Sequence, residues 1–236
     1  MSTSTDAVAG AMASQVMQQE LCARNIANIS TPGFRRNIAI VESQAQSGAS
    51  SNSAGLPSVT AARLDLSQGM LQPTHNDLDL AIQGEGFFTV STEKGLRYTR
   101  NGSFRLDENR RLVTQDGDAV MGADGEIQLP EGASVTVGSQ GEVKVDNAPV
   151  ARLSIVGFDR PELLRETGSV QLEGASAGPR DARGFTIAQG SIEGSNVSPV
   201  AELVRMMSNF RDYEACARSL KSIEESASRL YAWARG

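Results

Sequence analysis

Few residues in this chain have the types and spacing that catalysis needs. The only histidine, His75, stands in a Pro-Thr-His-Asn turn beside Asn76 and Asp77. A lone imidazole in such a turn is ordinarily solvated. Gly174-Ala175-Ser176-Ala177-Gly178 fits the G-x-S-x-G pattern of a nucleophile elbow, but no strand-core run precedes it, and its histidine would have to come from upstream. No Ser-His-acid triad can be assembled, although Ser176→Ala remains the direct test for a hydrolase. Asp116, Asp118, Asp124 and Glu126 match no calcium-loop spacing and sit where turns favour Asp. Gly84-Glu85-Gly86 lacks the third glycine and the following helix of a dinucleotide site. Cys22 and Cys216 lie one in each terminal segment, far from any metal-ligand spacing, and are expected as free buried thiols. Catalytic residues, cofactor and metal are therefore all expected to be absent.

Composition narrows the partners. With 39% apolar and 21% charged residues the chain is of ordinary globular make-up, and its net charge of -6 comes without a basic cluster. Nucleic acid is not an expected partner, nor is a small-molecule substrate. Met1 to Gly10 has neither a basic n-region nor an apolar h-region, so no cleaved signal peptide is expected. No apolar run approaches the length of a membrane span.

The elements that remain are a helix at each end and strands between them. In Asp6 to Phe34, residues Val8, Met12, Cys22, Ile26 and Ile29 step by three and four, with Gln15 and Gln19 in register, as in the seam of a helix that packs on another. Val16 joins that apolar set. Ser4, Thr5 or Asp6 is expected to cap the start, and Pro32 with Gly33 to stop the helix after about 25 residues, or about 37 Å. Residues 35–77 form a linker or exposed arm, rich in Ser, Ala, Gln and Gly through its middle, that cannot order itself alone and would sense assembly if neighbours ordered it. From Leu78 onward short apolar runs are broken by Asp116-Gly117, Asp124-Gly125 and Gln140-Gly141, predicting an antiparallel β domain over 78–197. Gly84 and Gly86 before Phe87 and Phe88 suggest a tight bend delivering one ring to each face of a strand, and Gly174 to Gly184 reads as a mobile loop.

Ser198-Pro199 opens the second helix, with Glu202 placed for its dipole. Leu203, Met206, Phe210, Tyr213, Ala217, Leu220, Glu224, Ala227 and Tyr231 continue the three-four alternation. The expected fold is α+β: helices over 1–34 and 198–236 pairing as a coiled coil, with a central antiparallel β domain. Neither seam has a core of its own, so both termini are expected to find burial among neighbouring subunits and to be disordered before assembly.

Three blocks together resemble the bacterial flagellar axial proteins, specifically the basal-body rod proteins. They are ARNIANISTPGFRRN from Ala23, LDLAIQGEGFFTV with YTRNGSFRLD and RLVTQDGDAVMG over Leu78 to Gly122, and QGSIEGSNVSPVAELVRMMSNF onward from Gln189. The motif positions are Asn25, Asn28, Pro32, Gly33, Phe34, Gly84, Gly86, Phe87, Phe88 and Asn196. The sequons at Asn28, Asn101 and Asn196 are then chance matches. STPGFR, PEGASVTVG, PVARLSI and EGSNVSPV look more like a proximal-rod than a distal-rod subunit. The resemblance implies a structural, non-enzymatic subunit, exported by the flagellar type III apparatus, working in the periplasm among other rod subunits and further copies of itself. It implies an inner coiled-coil tube built on Val8, Met12, Val16, Ile26, Leu203, Met206, Phe210, Tyr213 and Leu220, with the β domain outside. An open-ended heterologous contact supplies such a filament without catalysis. A distal-rod or hook-type subunit is the nearest alternative. A self-folded β-rich adhesion module, whose helices merely dimerise, is the competing class.

Overall fold

The computed structural model describes residues 2–43, 57–132, 134–168 and 170–235. Two helices and a set of antiparallel strands make an α+β chain, and the chain divides into two compact units. One comprises Met1–Ala27, Asn37–Arg63 and Ser198–Gly236; the other comprises Asn28–Arg36 and Leu64–Val197. This division cuts across the four segments read from the sequence. The turn after the first helix and residues 64–77 belong with the β unit, while 37–63 goes with the helices.

In the helical unit, α1 spans Ser2–Ala27 and α2 spans Pro199–Arg235. At 1.5 Å per residue the second is about 55 Å long. The two helices pack against each other. α1 ends at Ala27, earlier than Pro32 alone would require, and two local turn bonds and one tertiary bond take up amides that follow. Thr31 N–H donates to the Asn28 carbonyl (3.2 Å), Phe34 N–H to Thr31 (3.3 Å) and Gly33 N–H to Glu193 (2.7 Å). α2 begins as its Ser-Pro signal predicts, with Glu202 N–H donating to the Ser198 carbonyl at 3.0 Å. The strands β1 (Asn37–Ser43) and β2 (Pro57–Leu64) pair with each other, so the ends of the supposed arm are ordered. Its middle, 44–56, lies outside the described residues.

In the β unit, β3 (Leu71–Pro73) pairs with Ser191–Glu193, and β4 (Leu80–Gln83) with Thr186–Gln189. The largest sheet is centred on β5 (Phe87–Thr92) and β6 (Gly95–Thr99), which form a hairpin. Ala119–Gly122 and Ile155–Phe158 also pair with β5. Every one of these pairings is antiparallel. Alternation along β5 puts Phe88 into a cluster with Leu80, Val90, Phe104 and Val120, and Phe87 into a second one with Tyr98, Phe158 and Leu172. The rings meet at 5.0 Å for Phe88–Phe104 and 5.6 Å for Phe87–Phe158. Gly84 (φ 101°) and Gly86 (φ 131°) make the bend that launches this strand.

The stretch 174–184 is not the free loop its composition suggests. Pro179–Asp181 is a strand paired with Ile155–Phe158, Ala177 is fully buried, and Gly174 lies flat on Phe158 and Leu164. At Gly174 the Phe158 ring and the Leu164 side chain leave no room for a Cβ. Ser176 sits in a short 3-10 turn over Ala175–Ala177, without the strand-to-helix geometry of a nucleophile elbow.

Candidate functional site

Glu193 is completely buried, three residues before Asn196 and five before Ser198 at the α2 cap. A carboxylate without water must be compensated by charge and hydrogen bonds. Its Oε1 lies 2.8 Å from an Arg35 terminal nitrogen and accepts from Gly69 N–H at 2.8 Å; its Oε2 lies 3.1 Å from Arg100. Arg35 and Arg100 are themselves 3% and 4% exposed. Two guanidiniums thus face one carboxylate, and the surplus positive charge is spread over carbonyls. Arg35 donates to Ser67 O (2.9 Å), and Arg100 to Ile82 O (3.2 Å) and Gly84 O (2.7 Å). Arg100 also lies 5.1 Å from the Phe87 ring centroid. Burial draws the Arg100 pKa down to about 10, and Glu193 opposes that while the Arg35 charge adds to it. It remains a cation at physiological pH.

Around this cluster the backbone passes at contact distance. Gly33, at φ 73°, faces Arg100 and Asn101 so closely that a Cβ would overlap their backbone; one on Gly69 would overlap the Gly194 carbonyl. Asn196 completes the crossing. Its side-chain oxygen accepts from Arg36 N–H (2.7 Å), and its amide nitrogen donates to the carbonyls of Asp65 (2.8 Å) and Ser67 (3.0 Å). Arg36 and Asp65 pair at 3.1 Å. In the helical unit Asn25 plays a like part: its amide exchanges two hydrogen bonds with the Asn37 backbone, at 2.8 and 2.9 Å, fixing the first residue of β1.

The motif positions therefore gather. Gly33, buried Phe34, Gly84, Phe87 and Asn196 all touch or border the Glu193 cluster, while Asn28 and Pro32 shape the turn into it and Phe88 fills the sheet core. Arg35, Arg100, Glu193 and Gly69 were not singled out from the sequence. Arg35, Arg100 and Glu193 stand inside the quoted motif blocks, and charges embedded among glycines and apolar residues were the available signal.

The anticipated helix seam divides into two faces. Val8, Met12, Ile26, Met206, Tyr213 and Leu220 are half-buried. Val16, Leu203 and Phe210 are exposed, at 43%, 51% and 51%. On α2 the buried and half-buried positions include Glu202, Met206, Asn209, Tyr213, Cys216, Leu220 and Ile223, and Asn209 approaches the Cys22 sulfur at 3.8 Å. Val200, Leu203, Val204, Met207 and Phe210 form a separate apolar stripe open to solvent. Neither cysteine is in a disulfide; Cys22 is buried and Cys216 half-buried. His75 is exposed, and among the described residues no group of three His, Cys, Asp or Glu could hold a metal ion. Among them, too, no helix is long and apolar enough to cross a membrane.

An α+β chain whose buried polar cluster is spent on structure, and whose helices keep a bare apolar face, belongs to the class of structural subunits. Residues 81–145 match the family described as the flagellar hook protein FlgE/F/G D1 domain, and 188–231 the family described as flagellar basal body rod FlgEFG protein C-terminal. The chain is 32% identical over 236 residues to the flagellar basal-body rod protein FlgF of Salmonella typhimurium, covering 93% of each. It is 32% identical over 213 residues to FlgF of Caulobacter vibrioides, covering 87% of each. To the rod protein FlgG of Buchnera aphidicola subsp. Schizaphis graminum it is 31% identical over 247 residues, covering 92% of this chain and 94% of that one. The chain belongs to the flagellar basal-body rod proteins, a family of structural components of the basal body.

Proposed function

We propose that this chain is a subunit of the proximal part of the rod, exported by the flagellar type III apparatus and assembled in the periplasm through its terminal helices, which pair as a coiled coil and line the inner tube. The observation that carries the assembly reading is the α2 stripe of Val200, Leu203, Val204, Met207 and Phe210, each at least 51% exposed in the single chain. A row of large apolar side chains on one helix face is surface for a partner. The partner proposed is another rod subunit, a further copy of this chain or a relative, meeting it through a heterologous contact that does not close.

The half-buried positions support the pairing. With Cys22 opposite Asn209, an antiparallel coiled coil would set Val8 against Ile223, Ala11 against Leu220, Gln15 against Cys216, Gln18 against Tyr213 and Asn25 against Met206. All of these are buried or half-buried. Steps of three and four on both helices are the coiled-coil period. The proximal placement rests on the relatives named FlgF and on the motif wording around Thr31 to Arg35 and Glu193 to Val200.

The test is Leu203→Glu with Met207→Glu, introduced into a strain that lacks the native protein. Both positions are exposed, so the chain should fold and be exported normally, but basal bodies should lack a completed rod and the cells should not swim. Normal rods and swimming would remove the α2 stripe from the interface. Labelling the protein in purified basal bodies tests its position along the shaft.

A further inference from the structure

The root that follows α1, residues 28–36, and the root that precedes α2, residues 190–197, cross inside the β unit without being strand neighbours. We propose that Glu193, with Asn196, is the positioning residue that ties these two roots into one rigid junction. Three passages of the chain end on this pair through four contacts. Gly33 N–H donates to the Glu193 carbonyl at 2.7 Å, Gly69 N–H to its Oε1 at 2.8 Å, Arg36 N–H to Asn196 Oδ1 at 2.7 Å, and Arg100 reaches Oε2 at 3.1 Å. Gly194 N–H donates to Met70 O at 2.8 Å, closing the crossing from the other side. None of the residues making these bonds belongs to either hydrophobic cluster of the sheet.

A core that served stability alone has no need to bury a carboxylate, since well-packed apolar groups do that as well or better. What a buried, multiply bonded charge supplies is a single allowed geometry. Here that geometry is the mutual placement of the two points at which the chain leaves for its helices. The consequence rests on the rod reading: a load entering through either helix reaches the β unit at one stiff point rather than through two independent tethers. Gly33 and Gly69 are part of the same device, because only glycine leaves room for the Arg100–Asn101 backbone at the first position and for the Gly194 carbonyl at the second.

The experiment is residue-resolved hydrogen exchange on the isolated full chain. In Glu193→Gln, which keeps the shape and removes the charge, the amides of Gly33, Arg36, Gly69 and Gly194 should lose protection together, by roughly tenfold or more, while those of β5 keep theirs. Glu193→Asp, which keeps the charge, should restore part of that protection. If Glu193→Gln does not fold, Asn196→Ala carries the test, with Arg36 and Gly33 expected to open together. Loss spread evenly over β5 and the junction would overturn the proposal, making Glu193 a general stabiliser; so would loss at Gly69 alone with Gly33 and Arg36 still protected. The readout is taken on the unassembled chain, so its failure is distinct from failure of the rod reading, which the charged α2 variants address.

Discussion

Two guanidiniums around one carboxylate make the members of the Glu193 cluster unequal. Removing the carboxylate strands two buried cations, whereas removing one arginine leaves a balanced pair. Glu193→Gln should therefore lower unfolding free energy by about 3 to 5 kcal/mol, and Arg100→Met by clearly less. Urea unfolding of the two variants checks the order, and equal losses would contradict the net-charge account. Asp65 gives a pH dependence. Burial pushes its carboxyl up, but hydrogen bonds from Ser67 and the charges of Arg36 and Arg35 outweigh this and leave it below 3.8. A lowered carboxylate contributes stability that is present above pH 3.8 and fades as pH falls through the folded value. Asp65→Asn should flatten that part of the acid limb of the stability curve and change nothing near neutrality beyond a constant offset. At this scale the sequence disclosed the glycines and asparagines but not their purpose. Gly33 looked like a turn residue and Asn196 like a motif letter, because a hydrogen bond across 160 positions leaves no local spacing to read.

Among the elements, the strands were the more legible. Period-two alternation says which ring goes to which face, and Phe87 and Phe88 follow it. α2 was harder, since it carries apolar residues on two faces and a three-four pattern can be threaded through either. The buried and half-buried positions of α2 include Glu202, Asn209 and Cys216, polar or small positions that a search for apolar steps passes over, while Leu203 and Phe210 belong to the open stripe. This makes a prediction about aromatic truncation. Phe88→Ala empties a fully buried site and should cost the chain about 3 to 5 kcal/mol. Phe210→Ala removes a half-exposed ring and should cost the isolated chain within roughly 1 kcal/mol, yet still impair rod assembly. Chemical denaturation beside a swimming assay separates the two; a large stability loss for Phe210→Ala would return that ring to the chain's own core.

On the scale of the whole chain, the β unit closes two apolar clusters and a buried charge cluster, whereas the helical unit closes comparatively little. Its seam carries Gln15, Gln18 and Asn209 among its half-buried positions, and the Gln15 side-chain oxygen is buried with no hydrogen-bond partner. A polar seam fixes register at the expense of stability, and the outer stripe of α2 gains nothing until a neighbour covers it. The terminal segments are helical in the single chain, where disorder was expected of seams without a core of their own, but they are only partly shielded there. Local opening free energies should therefore divide along the unit boundary. In the unassembled chain the amides of α1 and α2 should exchange through openings several-fold to a thousandfold more frequent than those of β5, a gap of about 1 to 4 kcal/mol. Within assembled rods the helices should become the slower-exchanging part, because burial among neighbours supplies what the single chain lacks. Helices as protected as β5 in the free chain would mean that the helical unit is complete by itself, and that the contacts holding one subunit to the next lie elsewhere on its surface.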